Sequence, residues 1–270
     1  MSVKKIVLSL LVVVTTIAVW AQDSTGQKRV SSKQEKKNAR RDRINTLLRQ
    51  EEEGEIVFNK QSVFGVKLAT DGYGITYEIG KFKSPRRSTL FQIELSEKKH
   101  KKEKKLAASI DNQFQINSVV FGKTNNFYQL KLGVAQQQII GGKGNKNGVA
   151  VSAIYGAGLS VGMLKPYYVD VEDSSNSRTR STYPEIVNKN YFELGAAGFT
   201  VGWDAVKIRP GAYAKAAMRF DYGRLNETVT AIEVGLGAEF YSSKMSQIIY
   251  NKEKQLFFNA YVSLLLGRRK

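Results

Sequence analysis

The sequence predicts an all-β, antiparallel up-and-down transmembrane β-barrel of about eight strands, or ten if residues 191–208 add a pair. Three observations support this fold class. Strand-length segments alternate apolar and polar residues with a period of two. Beyond residue 21 no apolar run reaches the length of a membrane-spanning helix, and many of the segments are as long as a tilted spanning strand.

Residues 1–21 have the pattern of a signal peptide. Lys4 and Lys5 precede the apolar stretch 6–14, and Val19-Trp20-Ala21 offers small or aliphatic residues where signal peptidase requires them. We therefore expect export, with Gln22 as the first mature residue.

Residues 22–60 form a basic arm that we place in the periplasm. Its charge centres on Lys36, Lys37, Arg40, Arg41 and Arg43. Ile44 and Leu48 lie four residues apart, which favours a short helix over 38–52 with a narrow apolar stripe. We expect a helical or disordered arm, either solvated or bound to an anionic surface or an envelope protein.

The barrel is expected over residues 61–270. Turn signals such as Asp71-Gly72 and the glycine-rich stretch 141–148 separate its strands. The predicted strands are Val63–Ala69, Gly74–Lys83, Thr89–Ser96, Phe127–Gln137, Val149–Leu164, Gly211–Tyr222, Val229–Tyr241 and Gln255–Leu266.

One face of these strands carries charge of both signs. The polar face contains Glu94, Lys131, Lys215, Arg219, Asp221, Glu233 and Glu239. In a membrane barrel this face lines the lumen, so we expect a filled, ion-paired lumen. A soluble exported barrel would turn its apolar face inward and hold an apolar ligand, and this remains the alternative fold.

Aromatic residues near strand ends favour the membrane barrel, because they resemble an interfacial girdle. The predicted girdle is Tyr73, Tyr77, Phe127, Tyr128, Tyr155, Phe220, Tyr222, Phe240, Tyr241, Phe257 and Phe258.

The two longest connections, about 97–126 and 165–210, are expected outside the cell. The first contains a basic run, formed by Lys98, Lys99, Lys101, Lys102, Lys104 and Lys105. These lysines would lie beside lipopolysaccharide phosphates. The second connection has mixed charge around residues 170–180, which predicts a flexible surface loop.

Few residues suit catalysis. The chain has no Cys, and its one His, His100, lies among lysines. We therefore expect no catalytic residue, no metal site and no cofactor. Glu233 and Glu239 are about 20 Å apart along one strand, too far to act on one bond. A membrane-embedded enzyme modifying lipid or lipopolysaccharide is the alternative, and would require a Ser/His/Glu cluster at one rim.

The stretch Phe121-Gly122-Lys123-Thr124-Asn125-Asn126-Phe127-Tyr128-Gln129-Leu130, with the signal peptide and basic leader, resembles the small outer-membrane β-barrel families of the Bacteroidota, the PorT-like and Omp-type eight-stranded barrels. The resemblance covers about residues 61–268 and implies the same fold and location. The chain departs from the usual barrel ending, because Leu266 is followed by Gly-Arg-Arg-Lys rather than a terminal aromatic residue.

The function expected from these features is a non-enzymatic outer-membrane component with a structural, surface-binding or assembly and secretion role. The formal net charge of +18 fits partners such as outer-membrane lipid and lipopolysaccharide, whereas export argues against nucleic acid. An envelope protein could bind residues 22–60.

Overall fold

The structure is a computed structural model that describes residues 36–38, 58–84, 86–108, 117–143, 148–173, 177–189, 191–223 and 227–270. The predicted signal peptide and Arg40, Arg41 and Arg43 of the arm lie outside the described residues. Residues 36–38 are helical, with Lys36 and Lys37 exposed, and the remainder of the helix predicted over 38–52 also lies outside them.

Between residues 58 and 270 the described chain contains strands and one short helix. The strands are β1 Lys60–Ala69, β2 Gly72–Ser84, β3 Arg87–Lys98, β4 Lys105–Ala108, β5 Asn117–Val120, β6 Asn125–Gly141, β7 Ala150–Pro166, β8 Tyr168–Glu172, β9 Arg178–Thr182, β10 Phe192–Ala196, β11 Lys207–Asp221, β12 Thr228–Met245 and β13 Lys254–Arg269, and the helix is α1, Tyr183–Lys189.

Eight of the strands close into a barrel in the order β1-β13-β12-β11-β7-β6-β3-β2. Every neighbouring pair is antiparallel, and β1 closes the ring by pairing with β13 from Gln61↔Arg269 to Ala69↔Tyr261. The predicted eight-stranded barrel is confirmed. Residues 191–208 do not add a pair to it, because β10 belongs to a separate sheet and β11 begins at Lys207.

The register gives the stagger of the barrel. Lys60 on β1 can be traced around the ring by stepping from each residue to its paired residue on the next strand. The path passes through Lys81, Thr89, Gln136, Tyr155, Ala216, Leu236 and Ala260. It returns to β1 at Thr70, whose backbone amide donates to the carbonyl oxygen of Ala260, ten residues beyond the starting point. The stagger is thus ten residues. A barrel of this size has strands tilted by roughly 40° and an interior that side chains fill.

The wall is apolar outside and polar inside. Leu159 is 70% exposed and Leu236 66%, whereas Arg219 and Glu233 are 1% and 2% exposed. This polarity matches lipid outside the wall and polar contacts within it, so the chain is a transmembrane barrel located in an outer membrane. The alternative of a soluble barrel with an apolar interior is therefore wrong.

Among the described residues, no helix has the length and apolarity needed to cross a membrane.

The two rims of the barrel differ. We call the end formed by residues 69–72, 98–108, 117–125, 166–173, 177–189, 191–207 and 245–254 the loop rim, and the end with the first residue of β1 and the last residue of β13, Lys60 and Arg269, the terminal rim. The two longest connections lie at the loop rim, whereas the connections at the terminal rim are all short, as periplasmic turns are in such barrels; the two-residue β1–β2 turn at the loop rim is short as well.

The two long connections at the loop rim are structured. β4 pairs with β5, and β8 pairs with both β9 and β10. Val119, Val169, Val171, Tyr183 and Ile186 form a buried apolar cluster that joins these elements. Residues 170–172 and 178–180, predicted as part of a flexible surface loop, belong to the β8–β9 pair, and the side chains of Asp170 and Arg180 are exposed at the surface.

Candidate functional site

The lumen contains a first group of ion pairs centred on Arg219. Its guanidinium donates to Glu78 Oε2 at 2.7 Å and to Glu233 Oε2 at 2.6 Å. Glu233 also accepts from Lys215 at 3.2 Å and from the Tyr261 hydroxyl at 2.8 Å. Both carboxylates thus have several donors.

A second group lies around Glu94 and Glu239. Lys131 bridges the two, with its amine 3.0 Å from Glu94 Oε1 and 2.7 Å from Glu239 Oε1. Lys67 pairs with Glu94 at 2.9 Å, and Lys98 pairs with Glu239 at 2.7 Å. The Lys67 amine lies 3.8 Å from the centre of the Tyr261 ring, so Tyr261 contacts both groups.

The two groups are balanced in charge within the described chain. The cations are Lys67, Lys98, Lys131, Lys215 and Arg219, and the anions are Asp71, Glu78, Glu94, Glu233 and Glu239. Burying charge is unfavourable unless each ion has a partner. The network satisfies this requirement with no bound ion.

Among the predicted lumen residues, Asp221 lies apart from the two groups. Its carboxylate pairs with Arg269 and accepts from the backbone amide of Gly223 at 2.8 Å. It therefore ties the last barrel strand to the β11–β12 turn at the terminal rim. The expectation that Asp221 joins Glu233 and Glu239 in one network is wrong, because Asp221 is the last residue of β11.

Sequence reasoning missed Lys67, Asp71 and Glu78. The alternation in β1 and β2 could have found two of them, since Lys67 and Glu78 occupy inward positions of the same period as the residues that were predicted. Asp71 lies in the β1–β2 turn and reaches Lys98 at 2.5 Å, a contact with no local sequence signal.

Buried apolar clusters lie on either side of the charges in the lumen. Phe127, Leu164, Tyr241 and Met245 are buried together toward the loop rim. Val63, Val229, Ala231 and Leu265 form a second buried cluster toward the terminal rim. Phe127, Tyr241 and Phe257 were expected in the lipid-facing girdle. That expectation is wrong for these three, because strand parity turns them inward, where their rings contact one another.

The basic loop loses one predicted member. Lys98 is the last residue of β3, is 5% exposed, and pairs with Asp71 and Glu239. It is thus part of the lumen network rather than a surface ligand, a correction to the prediction. The other predicted lysines, Lys99, Lys101, Lys102, Lys104 and Lys105, have exposed side chains.

The loop is a fixed turn. Glu103 accepts from the backbone amide of His100 at 3.1 Å and from Lys123 at 3.1 Å. Lys102 donates to Asn251 at 3.3 Å, across 149 residues of sequence. This contact places exposed Lys252 and Lys254 near the basic loop, and sequence reasoning had not grouped these lysines with it.

His100 lies within this turn. Its Nδ1 accepts from the backbone amide of Lys102 at 3.2 Å. Burial, with a further contribution from Lys254 and Lys102, lowers the pKa of His100 below its ordinary value, although Glu103 opposes the shift. The imidazole is therefore held neutral as a structural acceptor.

No group of three or more His, Cys, Asp or Glu side chains that could hold a metal ion occurs in the described part of the chain.

No protein-family model matches the chain, and no curated protein matches it. Solved structures of small barrels resemble it weakly. Neisserial surface protein A aligns with 79% of this chain and 97% of its own at 10% identity and a TM-score of 0.36. Ail, the attachment invasion locus protein of Yersinia pestis, aligns with 79% of this chain and 100% of its own at 7% identity and a TM-score of 0.35.

The N-terminal β-barrel domain of Pseudomonas aeruginosa OprF aligns with 78% of this chain and 98% of its own, at 11% identity and a TM-score of 0.34. At such low scores the likeness carries no argument. The fold assignment rests on the strand order and register of this chain.

Proposed function

We propose that this chain is a non-enzymatic outer-membrane protein whose loop rim binds lipopolysaccharide phosphates at the cell surface. The paired charges and buried apolar clusters inside the lumen support a binding role at the rim over a role as a passage. The periplasmic side is then the terminal rim.

The observation that carries the proposal is the meeting of two basic segments at one rim. Lys99, Lys101, Lys102, Lys104 and Lys105 come from one connection and Lys252 and Lys254 from another, and the Lys102–Asn251 hydrogen bond joins the two connections. Several exposed ammonium groups on a fixed turn suit a phosphorylated surface, because charge-assisted hydrogen bonds form with little further ordering.

The test compares two triple variants of the folded protein. Lys101→Gln/Lys102→Gln/Lys104→Gln removes three exposed lysines at the loop rim, and Lys60→Gln/Lys81→Gln/Lys83→Gln removes three exposed lysines toward the terminal rim. We expect at least about tenfold weaker binding of purified lipopolysaccharide for the first variant only, with a smaller salt dependence. Equal binding by both variants, or unchanged binding after the lipopolysaccharide is dephosphorylated, would refute the proposal.

The resemblance of residues 121–130 to the Bacteroidota families supports an origin in that phylum. The segment leads into β6. Within it, Lys123 pairs with Glu103 and the Asn125 side chain donates to Ser246 O at 2.9 Å.

We further propose that residues 22–60 recruit an envelope protein. A pull-down with and without these residues tests this, and equal recovery would reduce the arm to a tether.

A further inference from the structure

A cleft of about 350 Å³ lies at the loop rim beside the basic loop, whose Lys99 amine is 4.9 Å from the centre of the Tyr73 ring that lines the cleft. The ends of β2, β3, β6 and β7 and the turn at residues 197–201 line it, and its side chains include Tyr73, Glu97, Asn126, Tyr128, Lys165 and Tyr168. Tyr128 follows inward-facing Phe127 and thus points out of the barrel. The cleft has the size of a small-ligand site, about 300 to 1,000 Å³.

Aromatic rings hold one wall of the cleft in place. Tyr128 stacks on Trp203 with ring centres 5.5 Å apart and planes 20° apart, and Phe199 meets Trp203 edge-on at 5.5 Å. The Trp203 indole donates to Phe199 O at 2.9 Å. The wall therefore presents rings whose positions are fixed before any ligand arrives.

Lys165 supports this wall from beneath. It is 3% exposed, donates to Phe199 O, and lies 4.6 Å from the Phe199 ring centre and 4.9 Å from that of Trp203. Because rings and a carbonyl cover its ammonium group, the cation is committed to holding the turn rather than to binding an anion.

Gly202 allows the turn to close against the barrel. Its φ is +85°, and a Cβ there would lie 2.9 Å from the Tyr168 ring and 3.1 Å from Pro166 O. A residue other than glycine would be strained in this backbone conformation and crowded as well.

The remaining wall offers hydrogen-bonding groups. Glu97 accepts from the Tyr73 hydroxyl through Oε2 at 2.5 Å. Within the described chain, Glu97 Oε1, the Asn126 amide and the Tyr168 hydroxyl have no hydrogen-bond partner in the protein. A carboxylate in the wall disfavours an anionic ligand, whereas acceptors and donors beside fixed aromatic rings suit a ligand with apolar faces and hydroxyl edges.

We propose that this cleft binds a neutral saccharide ring. The ring stacks on the tyrosines, and its hydroxyl groups donate to Glu97 and exchange hydrogen bonds with Asn126 and Tyr168. The ring can belong to a soluble saccharide or to a glycolipid of the outer leaflet. The proposal is independent of phosphate binding by the basic loop.

The experiment uses Trp203 as the reporter. Trp203 is the only tryptophan outside residues 1–21, so a Trp20→Phe background makes fluorescence specific to the wall of the cleft. The refolded barrel in lipid nanodiscs is titrated with methyl glucoside, methyl galactoside and methyl mannoside. In a second arm the nanodiscs contain monoglucosyl diacylglycerol, with phosphatidylglycerol as the anionic lipid for comparison.

We expect a saturable change in Trp203 fluorescence with at least one neutral sugar. Whether the free glycoside or the glycolipid gives this change identifies the source of the saccharide ring. Glu97→Gln should weaken it at least about tenfold, since hydrogen bonds to a charged group are the stronger ones. Tyr128→Ala should weaken it too, whereas Tyr128→Phe and the matched control Glu172→Gln, which lies outside the cleft, should not.

No response in either arm, or a response that survives Glu97→Gln and Tyr128→Ala, would overturn the proposal. So would an equal response to inorganic phosphate or phosphatidylglycerol, since either would mark an anion site. The Lys101/Lys102/Lys104 variant should retain the saccharide response, so this test and the phosphate test can fail separately.

Discussion

The buried carboxylates of the lumen accept from donors on neighbouring and more distant strands. Glu233 shows the consequence, because it accepts from Lys215, Arg219 and Tyr261 at once. Such an arrangement adds little net stability compared with an apolar core. Removing one ion nevertheless destabilises the fold strongly, because the charge of its partner stays buried without compensation.

We therefore expect Glu233→Gln to lower the free energy of unfolding by about 3 to 5 kcal/mol. Reversible urea unfolding in lipid vesicles measures it. Asp170→Asn is the control, because the side chains of its pair with Arg180 are 57% and 44% exposed, and it should change stability by less than about 1 kcal/mol. Similar losses of unfolding free energy for Glu233→Gln and Asp170→Asn would contradict a buried network whose charges depend on one another.

His100 provides a test of the basic turn. Because burial lowers its pKa in the folded protein, the folded turn binds fewer protons than the unfolded chain as pH falls through the ordinary range of histidine. Acid should therefore weaken the turn, and this stability is regained as pH rises. His100 is the only histidine, so one imidazole NMR signal reports its pKa. A midpoint equal to or above that of the urea-unfolded chain would show that the turn is not ordered as described.

At the scale of elements, glycines set how closely ring side chains approach the barrel wall. Gly133 of β6 lies opposite Gly158 of β7, and a Cβ at Gly133 would lie 2.3 Å from the Tyr213 hydroxyl. The absent side chain thus gives the Tyr213 ring its place inside the lumen.

Gly133→Val should lower the free energy of unfolding by about 1 to 3 kcal/mol through overpacking. The same unfolding assay measures it. Ala157→Val on β7, whose side chain is exposed on the outer face, should leave stability nearly unchanged. An unchanged free energy of unfolding for Gly133→Val would mean that the lumen has unfilled space beside Tyr213.

At the scale of the whole molecule, buried side chains occupy the lumen. Apolar clusters lie toward both rims with the charge network between them. In planar bilayers the folded protein should show no stable single-channel conductance, unlike a water-filled porin. Discrete, reproducible conductance steps would contradict a filled lumen.

The orientation can be tested because the chain has no cysteine. Ser177→Cys lies exposed between β8 and β9 at the loop rim, and Ser84→Cys lies exposed at the terminal rim. A membrane-impermeant thiol reagent should label only the first in intact cells and both after lysis. Labelling of Ser84→Cys alone in intact cells would reverse the proposed orientation.

The sequence determined the barrel, the position of its strands and which residues share one face of each strand, whereas the structure decided that the polar face lines the lumen. The segment predicted as Val229–Tyr241 is observed as Thr228–Met245, and that predicted as Gln255–Leu266 as Lys254–Arg269. These features are local, since the period of two can be recognised within a single strand and a turn signal within the few residues that follow it. The charges on β11 and β12 were found for the same reason.

Only the tertiary structure decided which charges meet and which residues reach the surface. Lys98 and Phe127 were assigned to the outside from position along the chain, yet both lie in the lumen because stagger and strand parity bring them inside. The Tyr128–Trp203 wall and the Lys102–Asn251 contact join residues 75 and 149 positions apart. Such contacts depend on the register around the closed ring and on the packing of its outer connections, and no local pattern encodes either.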